Sequence, residues 1–294
     1  MRNDSASLTQ WEDPKPTGPN LDVQELIRSA VFEIIPLNNA IEAIDALPEK
    51  SRVSVTASAS KGQDATLDLA ELLIDRGHYA IPHFSARLMR DRGQVKDLAA
   101  WAKDNELTTA FVIGGDATEP GDYPDALSFM RDLFEHDHGL STVGVAAYPD
   151  GHPLISEDVR RQALFAKQDL LVEAGLRGFC STQMCFDPAR IIAWLKAERS
   201  DGLTLPVHLG IPGAVERTKL LTIGARLGVG QSLRYLRKNR RSVAKLLGSS
   251  AHDPSDLLEA LSSQLTPLGI ISLHIFTFNQ VEPTAAWQQA LLHS

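Results

Sequence analysis

Eight short apolar runs punctuate this chain, spaced so that a helix fits between each pair. They read VFEIIP (31–36), RVSVTA (52–57), YAIPHFSA (79–86), TTAFVIGGD (108–116), STVGVAAY (141–148), GFCSTQMCF (178–186), LPVHLGIP (205–212) and IISLHIFTF (270–278). Such continuous, β-branched runs are the pattern of parallel strands covered on both faces, and the segments between them carry apolar residues at helical spacing. Eight βα units in one chain predict α/β architecture of a single kind, a closed (β/α)8 TIM barrel. That fold sets its chemistry at the C-terminal ends of its strands. Glu33, Thr56, His83, Asp116, Tyr148 and Gln183 fall at or near those ends, so the chain reads as an enzyme.

The 294 residues suit one barrel domain over 21–294, preceded by a polar, Pro-rich arm over 1–20 that reads as flexible. A hydrophobic content of 43% is enough for a large core. The formal net charge of −8 argues against non-specific nucleic-acid binding, which needs a basic surface. No apolar stretch approaches the roughly 18 residues of a membrane span. The N-terminus has acids and prolines where a secretory signal needs a basic and then an apolar segment. Cys180 and Cys185 read as reduced core thiols, so a cytoplasmic protein without a metal centre is expected.

Helix signals fill the gaps. Asp187 before Pro188 opens ARIIAWLKAE, and Ser156 opens a helix that stops at Gly175. LDVQELIRSA is expected to close the barrel floor, and the stretch between strands seven and eight has room for extra helices. A basic run in that stretch, Arg234, Arg237, Lys238, Arg240, Arg241 and Lys245, reads first as a solvated helix face and second as a landing site for an anion. His136-Asp137-His138 sits at a helix end, where imidazole is favoured without any metal. His208 and His274 lie inside strands and read as satisfied core histidines.

The strand-end residues carry a resemblance. FEIIP, VSVTASASKG, VIGGD, VGVAAYPDGHP, EAGLRGFCSTQMCFD, VHLGIP and LHIFTFN resemble, in order, the strand motifs of the methylenetetrahydrofolate reductase family in its bacterial, barrel-only form. The resemblance implies reduction of 5,10-methylenetetrahydrofolate to 5-methyltetrahydrofolate by NADH or NADPH, within one-carbon metabolism and methionine biosynthesis. It implies Glu33 as the acid that protonates N10, Asp116 as a carboxylate facing the iminium at N5, and Gln183 as an amide that orients pterin or nicotinamide. Thr56, His83, Tyr148 and His152 are implied as cofactor contacts, and Phe276 and Gln280 join Asp116 and Gln183 as folate contacts. This chemistry is reasonable for those residue types. A buried carboxylic acid donates a proton well once burial raises its pKa, while a second, ionised carboxylate stabilises a cation. The bland alternatives are a salt-bridged barrel acid for Glu33 and a turn residue for Asp116.

Family members bind FAD with cationic side chains on its diphosphate, and here the sequence departs. Gly114 stands where an arginine precedes the Gly-Asp, and Leu170 and Leu171 stand in place of a basic pair. Lys61, Arg87 and Lys167 are the candidates to compensate. The expectation is direct hydride transfer with FAD held weakly or not at all. The alternatives are an FAD-dependent ping-pong reductase, a pterin-binding barrel that transfers a methyl or methylene group, and a silent folate carrier. The partners expected are folate and a nicotinamide nucleotide, with homo-oligomers common among barrels.

Overall fold

In the computed structural model the eight runs become eight strands, β1 (Val31–Ile34), β2 (Arg52–Val55), β3 (Tyr79–Ser85), β4 (Thr109–Ile113), β5 (Thr142–Ala147), β6 (Arg177–Thr182), β7 (Val207–Pro212) and β8 (Ile270–Phe276). They pair in parallel, in chain order, and β8 returns to β1 to close the barrel. The structure describes residues 23–226 and 252–293. The arm over 1–20 and the basic run from Arg234 to Lys245 lie outside those residues.

Among the described residues the α-helices are α1 (Val23–Arg28), α2 (Ala40–Asp45), α3 (Asp64–Asp75), α4 (Arg92–Asp104), α5 (Ala126–Leu133), α6 (Glu157–Glu173), α7 (Pro188–Ser200), α8 (Arg217–Arg226), α9 (Ser255–Leu261) and α10 (Val281–Leu292). α8 and α9 both fall between β7 and β8, where extra helices are expected. Side-chain caps start the helices where the sequence signals them. Asp187 accepts from Ala189 N and Arg190 N at the head of α7, and Ser156 accepts from Val159 N at the head of α6. Gly175 ends α6 at φ +68°, a conformation that costs glycine little.

α1 covers the floor. Ser29, just after it, receives Arg52 Nη1 and Ser272 Oγ on its carbonyl, both at 2.8 Å, which ties α1 to β2 and β8. Above the floor, the inward side chains Val31, Ile81, Phe111 and Phe179 form an apolar plug. The larger apolar layer lies outside the barrel, between strands and helices, and includes Phe84, Met130, Val145, Leu171 and Leu273. At Gly210 the β6 backbone comes so near that an added Cβ would sit 1.9 Å from Thr182 O, and Gly210 N donates to Thr182 Oγ1 at 2.8 Å. Among the described residues, no helix is long and apolar enough to cross a membrane.

Candidate active site

Alternation along each strand sends every second side chain into the lumen. On β1 this turns Glu33 inward, one step above Val31, and leaves it 7% exposed. β8 pairs with β1 so that Val31 faces His274 and Glu33 faces Phe276. This brings His274 Nε2 to 2.9 Å from Glu33 Oε2. Next to β1 on its other edge, where Ser54 of β2 is level with Glu33, Ser54 Oγ and His83 Nε2 of β3 lie 2.7 Å apart. The two imidazoles are 6.5 Å apart, centroid to centroid, and both flank Phe111. Burial above all, with a smaller contribution from the neighbouring His274, lowers the pKa of His83 to about 3, so it is neutral at working pH. His208 is buried one layer down, stacked on Phe179 at 4.0 Å.

The end of β1 is gripped by the segment after β8. Thr277 Oγ1 donates to Glu33 O, and Asn279 accepts from Ile35 N while its Nδ2 donates to Ile35 O and Asn39 Oδ1. To make these contacts Phe278 and Asn279 adopt consecutive left-handed conformations, φ +50° and +61°. That conformation is uncommon outside glycine and is favoured by Asn among the rest.

The remaining sequence-derived residues ring the mouth. Thr56 is half-buried, with its N–H on Ile34 O. Asp116 is exposed beyond β4 and accepts from Ala59 N at 3.3 Å, which links the loops after β4 and β2. Gln183 is half-buried past β6, and its Oε1 takes Met184 N. Phe276 lies between His274 and Phe278, with ring centroids at 4.9 and 6.5 Å. Gln280 Oε1 accepts Glu216 N at 2.8 Å, so this amide braces the β7–α8 loop. Tyr148 and His152 meet edge to face at 5.1 Å in the loop after β5. Burial raises the Tyr148 pKa and, ahead of Arg160, lowers that of His152. Beside them opens a cavity of about 570 Å³ lined by Asp150, His152, Ser156, Arg160 and Arg190 among others. Arg190 is paired with Asp150, whereas Arg160 makes only a hydrogen bond to Ile155 O and has no carboxylate within ion-pair distance among the described residues.

The sequence model of the family described as methylenetetrahydrofolate reductase matches residues 36–229, most of the barrel. The chain belongs to that family. Among solved structures it is similar to an uncharacterized protein from Clostridium thermocellum that binds two copies of 5-methyl-5,6,7,8-tetrahydrofolic acid. The TM-score is 0.61, with 13% identity over 92% of this chain and 98% of that one, a likeness of fold. It also resembles a putative phosphonomutase from Burkholderia cenocepacia J2315, with a TM-score of 0.46 and 12% identity over 92% of this chain and 94% of that one.

For a member of the reductase family, the positions read as flavin-phosphate contacts hold few free cations. Gly114 lies at the mouth, and a Cβ built there meets nothing within 4 Å, so the position is open and carries no charge. The placement of the two leucines corrects the sequence reading. Leu171 is buried against Gly178 near the start of β6, the end away from the mouth, and Leu170 packs beside the same core. Their apolar character is explained by packing, whatever the mouth binds. Of the candidates to compensate, Arg87 spends its guanidinium on three carbonyls, Ala117 O, Thr118 O and Pro124 O. Lys167 is buried on the face of α6 that packs on the barrel, and Lys61 alone of the three is exposed. Among the described residues this set is a poor fit to a flavin diphosphate, which calls for several cations at once.

Proposed function

We propose that this chain reduces 5,10-methylenetetrahydrofolate to 5-methyltetrahydrofolate with NADH or NADPH, and thereby supplies methyl groups for methionine biosynthesis in the cytoplasm. Both substrates are bound together, and hydride passes from the nicotinamide C4 to the methylene carbon without FAD. The observation that carries this reading is the buried carboxyl of Glu33 in the mouth of a barrel of this family. Ring opening breaks the N10–CH2 bond as Glu33 gives its proton to N10, leaving an iminium at N5. In this reading Asp116, exposed on the rim, stabilises that cation, and Gln183 orients the ring beside it. Hydride then fills the iminium carbon, nicotinamide leaves oxidised, and Glu33 regains a proton from solvent.

Two features support transfer without flavin, namely the open, uncharged position at Gly114 and the commitment of Arg87 to its own loop. The guanidinium of Arg160, beside Tyr148 and His152 and with no carboxylate within ion-pair distance among the described residues, suits a phosphate of the nucleotide. Folate binding is in keeping with the ligand named for the similar clostridial barrel. The test is an initial-rate study with both substrates varied and nucleotide deuterated at C4. Intersecting lines, deuterium in the product methyl group and no stimulation by added FAD are expected. Parallel lines with an FAD requirement would establish the ping-pong alternative, and folate binding without nucleotide oxidation would point to group transfer or carriage.

A further inference from the structure

The reading of Glu33 as proton donor leaves one group in direct contact with it unassigned. His274 is 3% exposed, sits on the strand that closes the barrel, and approaches Glu33 through Nε2 alone. Glu33 Oε1 has no hydrogen-bond partner among the described residues. The two oxygens of one carboxyl are thus distinguished, one engaged and one free.

We infer that His274 is a positioning residue for Glu33, donating from Nε2 to Oε2 so that Oε1 carries the proton that goes to N10. The imidazole that suits this arrangement is neutral, with its hydrogen on Nε2. When the Oε1–H bond breaks and the N10–H bond forms, Glu33 becomes a carboxylate, and the hydrogen bond it already accepts becomes charge-assisted and stronger. The contact therefore favours the state after proton transfer over the state before it, which is the condition for lowering a barrier.

The surroundings suit this role. From β3, His83 faces His274 and is held neutral by burial, so it adds no competing charge. From β2, Ser54 is occupied with His83, and Arg52 lies at the floor on Ser29 O. β4 and β6 present the rings Phe111 and Phe179, while His208 of β7 stacks on Phe179 below. Phe276, next inward on β8, and Thr277, on the Glu33 carbonyl, complete the enclosure. In an apolar enclosure one hydrogen bond to a forming carboxylate counts for more than it does in water.

Three variants test the inference, each assayed for kcat and KM across neutral to alkaline pH and for thermal unfolding. His274→Leu should lower kcat by about 10–10²-fold, the range of one hydrogen bond to a charged group. The folate KM should change little. Without the donor the carboxylate is less stable, so Glu33 holds its proton to higher pH and the alkaline limb of the rate profile should move upward. His274→Gln keeps an N–H near the same place and should recover most of the rate and the original limb. If the limb stays fixed in folded His274→Leu, or if Gln is no better than Leu, the inference is wrong. Should the Leu variant not fold, His274→Asn replaces it, because its shorter amide does not reach Oε2. Glu33→Gln separates the two levels. If it keeps turning over, the proton-donor reading fails first, whereas an inactive Glu33→Gln beside indifferent His274 variants overturns only the role of His274.

Discussion

Replacing Lys167 with methionine should make this protein more stable at neutral pH and leave its catalysis alone. Lys167 lies on the inner face of α6, 8% exposed, with no carboxylate within ion-pair distance among the described residues. Burial is the main cause that lowers its pKa from 10.5 to about 8, outweighing the smaller opposing effects of Cys180 and Asp125. A shift of that size corresponds to about 3 kcal/mol of cost for holding the charged amine in the fold. The sign follows from proton binding. Between pH 10.5 and 8 the unfolded chain binds more protons than the folded one, so stability falls as pH falls through that window and stays reduced below it. Methionine has a similar stem without the charge and packs readily into irregular space. Lys167→Met should therefore gain about 2–3 kcal/mol at pH 7, or roughly 5–10 °C in melting temperature for a domain of this size. Urea titrations repeated at several pH values read the effect, and the gain should vanish as pH rises past the free-lysine value. Equal or lower stability at pH 7, or a gain that ignores pH, would refute the reasoning. A lost reductase rate would return Lys167 to the list of phosphate contacts.

Glu33→Gln should abolish folate reduction by at least the ~10²-fold of a general acid, measured by nucleotide oxidation, with nucleotide binding intact by calorimetry. Asp116→Asn keeps an acceptor for Ala59 N, so melting should be unchanged while kcat falls by ~10²–10³-fold through lost charge. His83 has its pKa lowered to about 3, so the native state loses stability as pH falls from 6.5 towards that value, by about tenfold in folding equilibrium per pH unit. His83→Gln should flatten that slope in acid-unfolding curves. Gly210→Ala should sharply reduce soluble folded protein, because its Cβ would lie 1.9 Å from the backbone oxygen of Thr182.

The barrel was legible because its strands are buried on both faces, so each reads as an unbroken apolar run without any knowledge of its neighbours. Asp187 and Ser156 were legible as caps because capping is local. The candidate site was legible one residue at a time. Glu33 was visible as an acid among apolar neighbours, but its partner was not, because β1 and β8 meet only when the barrel closes. Period-two alternation in LHIFTFN places His274 and Phe276 on one face, yet nothing in the sequence sets its height against β1. Leu170 and Leu171 were misleading for a similar reason. Counting back from Ala174 gives a sequence offset, and it is the direction of α6 that carries those positions away from the mouth. Arg87 and Gln280 showed their donor and acceptor groups, and only the folded loops reveal that those groups are already occupied.

The clasp that Thr277 and Asn279 place on the end of β1 has a consequence for how the protein is made. Glu33 leaves the ribosome early, while the residues that grip its strand and touch its carboxyl are about 240 positions later. Every shorter nascent chain holds the acid without its neighbours, on a strand whose second edge is unpaired. The setting of Glu33 and the last rung of the barrel are thus completed by the same few residues. A chain cut short before Ile270 loses the partners of the Glu33 carboxyl together with the strand that closes the barrel.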